Sequence, residues 1–261
     1  MKVAGFQFAI AWENVERNLA ALDGAAAAAK AEGAHLLVLP EMFATGFSMN
    51  AELVAPHAAR IRAAVGATAK ATGLHILAGI AEPGPNRPRN AAALYGPDGS
   101  EIGAYHKIHP FSLAGEHKHY DGGTLLQTFE IKGVRVTPIV CYDLRFPELF
   151  RAAAEATDLF CVIANWPEVR AHAWRSLLVA RAIENLAYVL GVNRTGEGDG
   201  LFYAGDSILL DPLGEAAVAP GSRSGVFCGE VDPRHVATVR GRLGFLKDRR
   251  PDVYAAIVSR R

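Results

Sequence analysis

Two hydrophobic rhythms trade places along this chain. Residues 2–9 alternate apolar and polar closely enough for a strand. Asn14 is placed to cap the helix that follows, in which Val15, Leu19, Leu22 and Ala26 recur at helical spacing until Gly33 stops it. Residues 36–39 are wholly apolar, the mark of a strand covered on both faces, and Pro40 closes the run. A second helix is expected over residues 51–72, ended by Gly73, with another buried strand over 75–80. The opening therefore reads βαβαβ. In the middle the pattern changes: residues 91–95 and 102–108 flank a Pro-Asp-Gly turn, and residues 125–131 and 134–141 flank Lys132-Gly133. Hairpins are expected there, so the sheet content is mixed. From Pro147 a helix, a strand over 159–164, a long helix from about 172 to 184 and a strand ending near 192 restore the alternation. A last hairpin turns through residues 211–214, and residues 226–231 form the final strand.

Composition narrows the class. Half of the 261 residues are hydrophobic, enough for a large core, and we expect one domain over residues 1–261 of an α/β protein. The alanine run 25–29 needs no explanation beyond helix propensity. Lys plus Arg (27) equals Asp plus Glu (27) with no long run of one sign, so nothing in the overall charge attracts nucleic acid or an anionic membrane. A small-molecule ligand is the expectation. No basic, apolar leader opens the sequence and no apolar stretch approaches the roughly 18 residues of a spanning helix, which points to the cytoplasm. Three widely spaced cysteines make neither a disulfide framework nor a zinc pair, leaving room for a reactive thiol.

Three ionisable residues follow directly on expected strands: Glu41, Lys107 and Cys141. Strand ends are where sheets flanked by helices gather their ligands. Each alone is unremarkable, but together they make chemical sense, since a thiol needs a base and an ammonium can stabilise both thiolate and oxyanion. Cys161 and Cys228 lie within apolar runs and are expected to be packing residues. His106, His109, His117 and His119 crowd near Lys107, and His117 and His119 on a strand would share a face, yet no third and fourth metal ligand is evident. A Cys-His pair would leave Glu41 and Lys107 unexplained. Asp143 and Arg145 are expected to form a local ion pair that fixes the turn bearing Cys141. Arg170, Arg175 and Arg194 are candidates for a carboxylate-binding fork, and Phe43 and Trp166 for the walls of an apolar pocket. No phosphate cradle or dinucleotide fingerprint occurs.

The words PEMFATGF, YHKIHPF, GEHKHY and CYDLRFPEL around these residues, with NWPEVRAHAWRSLLVARAIENLAYVLGVNRTG and AGDSILLDPLGE after them, resemble the nitrilase superfamily of carbon–nitrogen hydrolases. The likeness runs from the first strand to about Tyr254, and AGEHKHY, NWPEVRAHAW and FLKDRRPDVY are most similar to its ω-amidase branch. That resemblance implies an αββα two-sheet sandwich, commonly paired as a homodimer; from the incomplete ligand set and the missing nucleotide motifs, no cofactor and no metal are expected. It further implies Cys141 as nucleophile, Glu41 as base, Lys107 and the backbone N–H of Tyr142 as oxyanion donors, and Glu116 as a second carboxylate orienting Lys107 or the substrate nitrogen. The implied substrate is a small amide of the 2-oxo dicarboxylate monoamide type. A nitrilase, an N-carbamoyl amidase or an acyltransferase would use the same residues, and a silent binding protein would be expected to lose them.

Overall fold

The computed structural model describes residues 1–258. Its first half runs β1 (Lys2–Gln7), α1 (Val15–Ala31), β2 (Leu36–Val38), α2 (Ala51–Val54), α3 (Ala58–Thr72), β3 (His75–Glu82), β4 (Arg89–Tyr95), β5 (Glu101–His106) and α4 (Glu116–His119). There follow β6 (Phe129–Ile131), β7 (Val134–Val140), α5 (Pro147–Ala153), β8 (Leu159–Ala164), α6 (Ala171–Asn185) and β9 (Tyr188–Asn193). The chain finishes with β10 (Thr195–Gly198), β11 (Leu201–Ala204), β12 (Ser207–Leu210), β13 (Ala216–Gly221), β14 (Gly225–Glu230), α7 (Pro233–Leu243) and α8 (Pro251–Val258).

The strands form two six-stranded sheets, β14-β1-β2-β3-β4-β5 and β13-β12-β9-β8-β7-β6. Each is parallel at its centre and antiparallel towards its edges. The reason is connection length: α1, α3, α5 and α6 are crossovers long enough to return the chain to the same end of a sheet, whereas short turns reverse it. Side-chain alternation then distributes burial. Leu36 and Val38 of β2 face the other sheet, in a cluster that continues through sheet two to Phe150, Trp174 and Leu178 of α5 and α6. Leu37 and Leu39 face outward onto Leu22 and Ala26 of α1 and Ile61 and Val65 of α3. The layers are helix, sheet, sheet, helix, as the resemblance implies. Among the described residues no helix is long and apolar enough to cross a membrane.

Several expectations need correction. The helix expected over 51–72 is broken into α2, a turn of 3-10 helix and α3, because Pro56 has no N–H to donate to the preceding turn. Only Phe129–Ile131 of the strand expected over 125–131 pairs with β7. His117 and His119 stand on the single helical turn α4 rather than on a strand, and two residues apart on a helix they point away from each other. The β10–β11 hairpin and the helices α7 and α8 have no counterpart in the sequence reading.

Candidate active site

The topology brings the ends of separate strands together. β4 runs antiparallel to β3 and β5 antiparallel to β4, so the C-terminus of β5 lies at the same edge as that of β2. Lys107 follows β5, Glu41 stands three residues beyond the end of β2, and Asn90 stands near the start of β4 on that edge. From sheet two, Cys141 follows β7 and Asn165 follows β8. Glu41 is held in a sharp turn, Met42 having a φ of 44°, and the turn packs directly on the backbone of Gly79 in β3. A Cβ on residue 79 would come 2.4 Å from the Pro40 carbonyl oxygen and 2.5 Å from Glu41 Cα, so only glycine permits this approach. Cys141 opens a turn of 3-10 helix with a φ of 47°, a left-handed conformation that points its side chain sharply away from the strand.

Around the thiol the polar groups are almost fully enclosed. Lys107 Nζ donates to Glu41 Oε1 at 3.0 Å and to Glu116 Oε2 at 2.7 Å, with all three side chains at most 1 % exposed. Asn90 Nδ2 bridges the same two carboxylates, at 2.7 Å to Glu41 and 3.0 Å to Glu116. Glu41 Oε2 accepts from the Asn165 backbone N–H at 2.9 Å, which ties this side chain to the second sheet. Glu116 also accepts from the Phe111 N–H. The Glu41 charge acts directly on the Cys141 thiol.

The electrostatics follow from this enclosure. Burial alone would discharge Lys107, but the Glu116 and Glu41 carboxylates outweigh it and hold the ammonium well above its ordinary pKa. Burial, reinforced by Glu41, raises Glu116 against the pull of Lys107. Burial and then the Glu41 charge push the Cys141 thiol well above its usual value, with Lys107 only partly offsetting them. A thiolate here would be one more negative charge beside two carboxylates and a single cation. Burial thus favours the thiol over the thiolate, and the Glu41 carboxyl group beside it is placed to take its proton.

Cys141 opens on a cavity of about 180 Å³ whose lining also includes Trp12, Phe47, Phe111, Arg145, Trp166, Arg170 and Tyr203. Arg145 stacks on Trp166 at 4.9 Å and Arg170 on Phe111 at 5.4 Å. No histidine lines the cavity among the described residues, and His109 Nδ1 is instead bound to Asp143 at 2.8 Å. No group of three or more His, Cys, Asp or Glu among the described residues could hold a metal ion.

Comparison with known proteins extends this geometry. Residues 2–241 match the carbon-nitrogen hydrolase family model. The chain belongs to the carbon–nitrogen hydrolase family. It is 44% identical over 189 residues to the omega-amidase YafV of Yersinia enterocolitica, covering 71% of this chain and 73% of that protein. It is 35% identical over 225 residues to the 2-oxoglutaramate amidase of Bacillus subtilis strain 168, covering 85% and 87% respectively. The crystal structure of XC1258 from Xanthomonas campestris, a superfamily member with an arsenic adduct in its active site, superimposes with a TM-score of 0.90 at 32% identity, covering 96% of this chain and 97% of that one.

For a carbon–nitrogen hydrolase the chain is thus a hydrolase of C–N bonds, and the remaining expectations can be placed in its cavity. Trp166 and Arg170 line it, and Tyr142 does so beside Cys141. Phe43 does not: it is 1 % exposed and packs in the cluster between sheet one and its helices. Arg175 is removed from the cavity by an ion pair with Asp206 at 2.7 Å on the surface. Arg194 is buried and bound to main-chain carbonyls instead of reaching the cavity. The ion pair expected between Asp143 and Arg145 is absent among the described residues. Asp143 accepts from Tyr105 Oη at 2.7 Å and from the His109 N–H at 2.9 Å, bracing the Lys107 segment, which leaves Arg145 free to face the cavity. Asn90 and Asn165 were not anticipated, nor was a place for Arg145 at the cavity. The signal for Asn165 was its place immediately after a buried strand, the same signal that marked Glu41 and Cys141.

Proposed function

We propose that this protein is an ω-amidase, releasing ammonia from the terminal carboxamide of a 2-oxo dicarboxylate monoamide through a thioester on Cys141. The observation that carries the reading is the meeting of two features at one cavity. Cys141, beside the buried Glu41–Lys107 pair, lines it, and so do Arg145 and Arg170, which have no ion-pair partner among the described residues. One feature suits an amide carbonyl, the other a carboxylate a few atoms away. The names of the relatives, omega-amidase and 2-oxoglutaramate amidase, support the same assignment.

In this reading Glu41 takes the thiol proton as Sγ attacks the amide carbon, and the carbonyl electron pair moves onto oxygen. Lys107 has spent two of its three N–H bonds on Glu41 and Glu116, so one remains for the oxyanion. The Tyr142 N–H belongs to the first turn of the 3-10 helix Cys141–Arg145, where N–H groups lack intrahelical acceptors, and it is the second oxyanion donor. Glu41 then returns its proton to the amide nitrogen, the C–N bond breaks, and ammonia leaves an acyl thioester. Water, deprotonated by Glu41, attacks the thioester carbon; the C–S bond breaks and the sulfur regains the proton. Each oxyanion donor is worth about 10²–10³ in rate and the carboxylate base about 10²–10⁴. Glu116 acts through Lys107, holding its ammonium at the site.

Ammonia release measured across short amides tests the assignment. ω-Amides with a free carboxylate at the far end should be hydrolysed with higher kcat/KM than neutral amides or nitriles of the same length. Equal efficiency on a neutral amide would remove the ω-amidase reading and leave the family membership intact.

A further inference from the structure

Arg194 and Tyr203 form an assembly that the mechanism leaves unused. Arg194 is fully buried, yet its Nε donates to the Thr195 carbonyl at 3.2 Å and its Nη2 to the carbonyls of Ile10 at 2.9 Å and Glu197 at 2.7 Å. No carboxylate neutralises it among the described residues. Burial lowers its pKa to about 10, so the charge persists at neutral pH. The guanidinium lies 4.4 Å from the centre of the Tyr203 ring, and the β10–β11 hairpin closes over it at Gly198, where a Cβ would come 2.6 Å from Nη1. An unneutralised interior charge is costly, and its retention beside a cavity calls for a use.

Tyr203 lines the cavity and is 2 % exposed, but its hydroxyl has no protein hydrogen-bond partner among the described residues. Nor is that hydroxyl among the polar atoms sealed within protein, so it opens on the cavity. Burial pushes the phenol up to about 12, which keeps the proton in place as a donor, and Cys141 and Glu41 are both within its electrostatic reach. β11, which carries Tyr203, packs on the turn Glu168–Arg170 that presents Arg170.

We infer that the Tyr203 hydroxyl, backed by Arg194, donates to the 2-oxo oxygen of the substrate and that the pair excludes the 2-ammonium group of the corresponding amino acid. The inference rests on the ω-amidase reading and names the group by which that site selects. With the amide carbon at Cys141 and the carboxylate at Arg145 or Arg170, the substituent next to the carboxylate falls on the wall that Arg170 and Tyr203 share. A ketone oxygen there accepts the phenol proton. An ammonium offers only donors, which leaves the phenol proton without an acceptor, and the buried Arg194 charge 4.4 Å from the ring centre repels it. Asp199 also lines the cavity, but it is exposed and its attraction for a cation is weakened by water and salt. A site built to donate a hydrogen bond discriminates strongly against a ligand that cannot accept it.

The test measures kcat/KM by ammonia release for 2-oxoglutaramate, glutaramate and L-glutamine, with the wild-type protein and Tyr203→Phe. The wild type should favour the 2-oxo amide over glutaramate and turn over glutamine least. Tyr203→Phe should lose about tenfold on 2-oxoglutaramate while glutaramate is unaffected, so that the preference between them collapses. Its melting temperature should not change, because the hydroxyl has no protein partner to lose. Arg194→Met, the test of the positioning residue, should reduce the same preference; if it does not fold, Tyr203→Phe decides alone. Equal losses on both substrates, or no loss on either, would overturn the inference. A wild type that favours glutaramate would overturn it and spare the ω-amidase reading, whereas one that hydrolyses neither ω-amide would overturn both.

Discussion

Replacing Gly79 by alanine should disable the site from beneath, by displacing Glu41 while leaving every proposed catalytic side chain in the sequence. The new methyl would lie 2.4 Å from the Pro40 oxygen, 2.5 Å from Glu41 Cα and 2.6 Å from Met42 N. Ordinary contacts are about 3.5 Å, so the Glu41 turn must retreat by about 1 Å. Glu41 makes its hydrogen bonds at 2.7 Å to Asn90, 3.0 Å to Lys107 and 2.9 Å to the Asn165 N–H, and a shift of that size breaks or skews all three. Misplacement of a reacting group by about 1 Å costs about 10²-fold in rate. Overpacking a dense interior costs about 1–3 kcal/mol, which in a domain of this size lowers Tm by roughly 2–12 °C. The assay is kcat for ammonia release beside a thermal melt. Gly24→Ala is the control: Gly24 lies within α1 with nothing near its would-be Cβ, so the same substitution there should raise stability by about 0.5–1 kcal/mol and leave kcat alone. Wild-type kcat and Tm in Gly79→Ala would refute the claim that this close approach positions the base.

Cys141→Ala should abolish turnover yet fold, since it removes only one sulfur; wild-type ammonia release by this variant would dismiss the thioester route. Arg145→Met and Arg170→Met should each narrow the preference for an ω-amide acid over its methyl ester by about tenfold, the worth of one charge-assisted hydrogen bond, as read from paired kcat/KM values. Arg175→Met, which breaks only the exposed pair with Asp206, should leave that preference intact. Asp158 is held below the ordinary aspartate range because the hydrogen bonds and charge of Arg135 outweigh the opposing effect of burial. A depressed carboxyl stabilises the fold above its unfolded pKa of about 3.9 and loses that contribution as pH falls through the lower folded value. Asp158→Asn should therefore be less stable than wild type at neutral pH, with a gap that closes only below about pH 4 in denaturant melts. A gap independent of pH would show that the ion pair is not its source.

Much of the frame was legible because it is written locally. The wholly apolar runs at 36–39 and 159–164 and the stop at Gly73 report burial and backbone conformation at the residues themselves, and β2, β8 and the end of α3 lie where they indicate. The helix expected over 51–72 failed at Pro56, whose missing N–H outweighed the run of alanines around it. The β10–β11 hairpin was hidden by a glycine-rich stretch with little hydrophobic pattern. Its pairing is stabilised by what it covers, namely Arg194 and the cavity, and no nearest-neighbour signal records that.

The catalytic candidates divide in the same way. By itself the sequence determined which residue types stand at strand ends, Glu41, Lys107 and Cys141, because a strand end is marked by the residues beside it. It could not determine which arginine faces the cavity. Arg145, Arg170, Arg175 and Arg194 are equivalent cations in the sequence, and only tertiary structure distributes them: Arg175 to Asp206, Arg194 to buried carbonyls, and Arg145 and Arg170 to aromatic faces at the cavity. A long, flexible side chain takes its role from the partners that the fold brings within reach, and those partners come from segments distant in sequence.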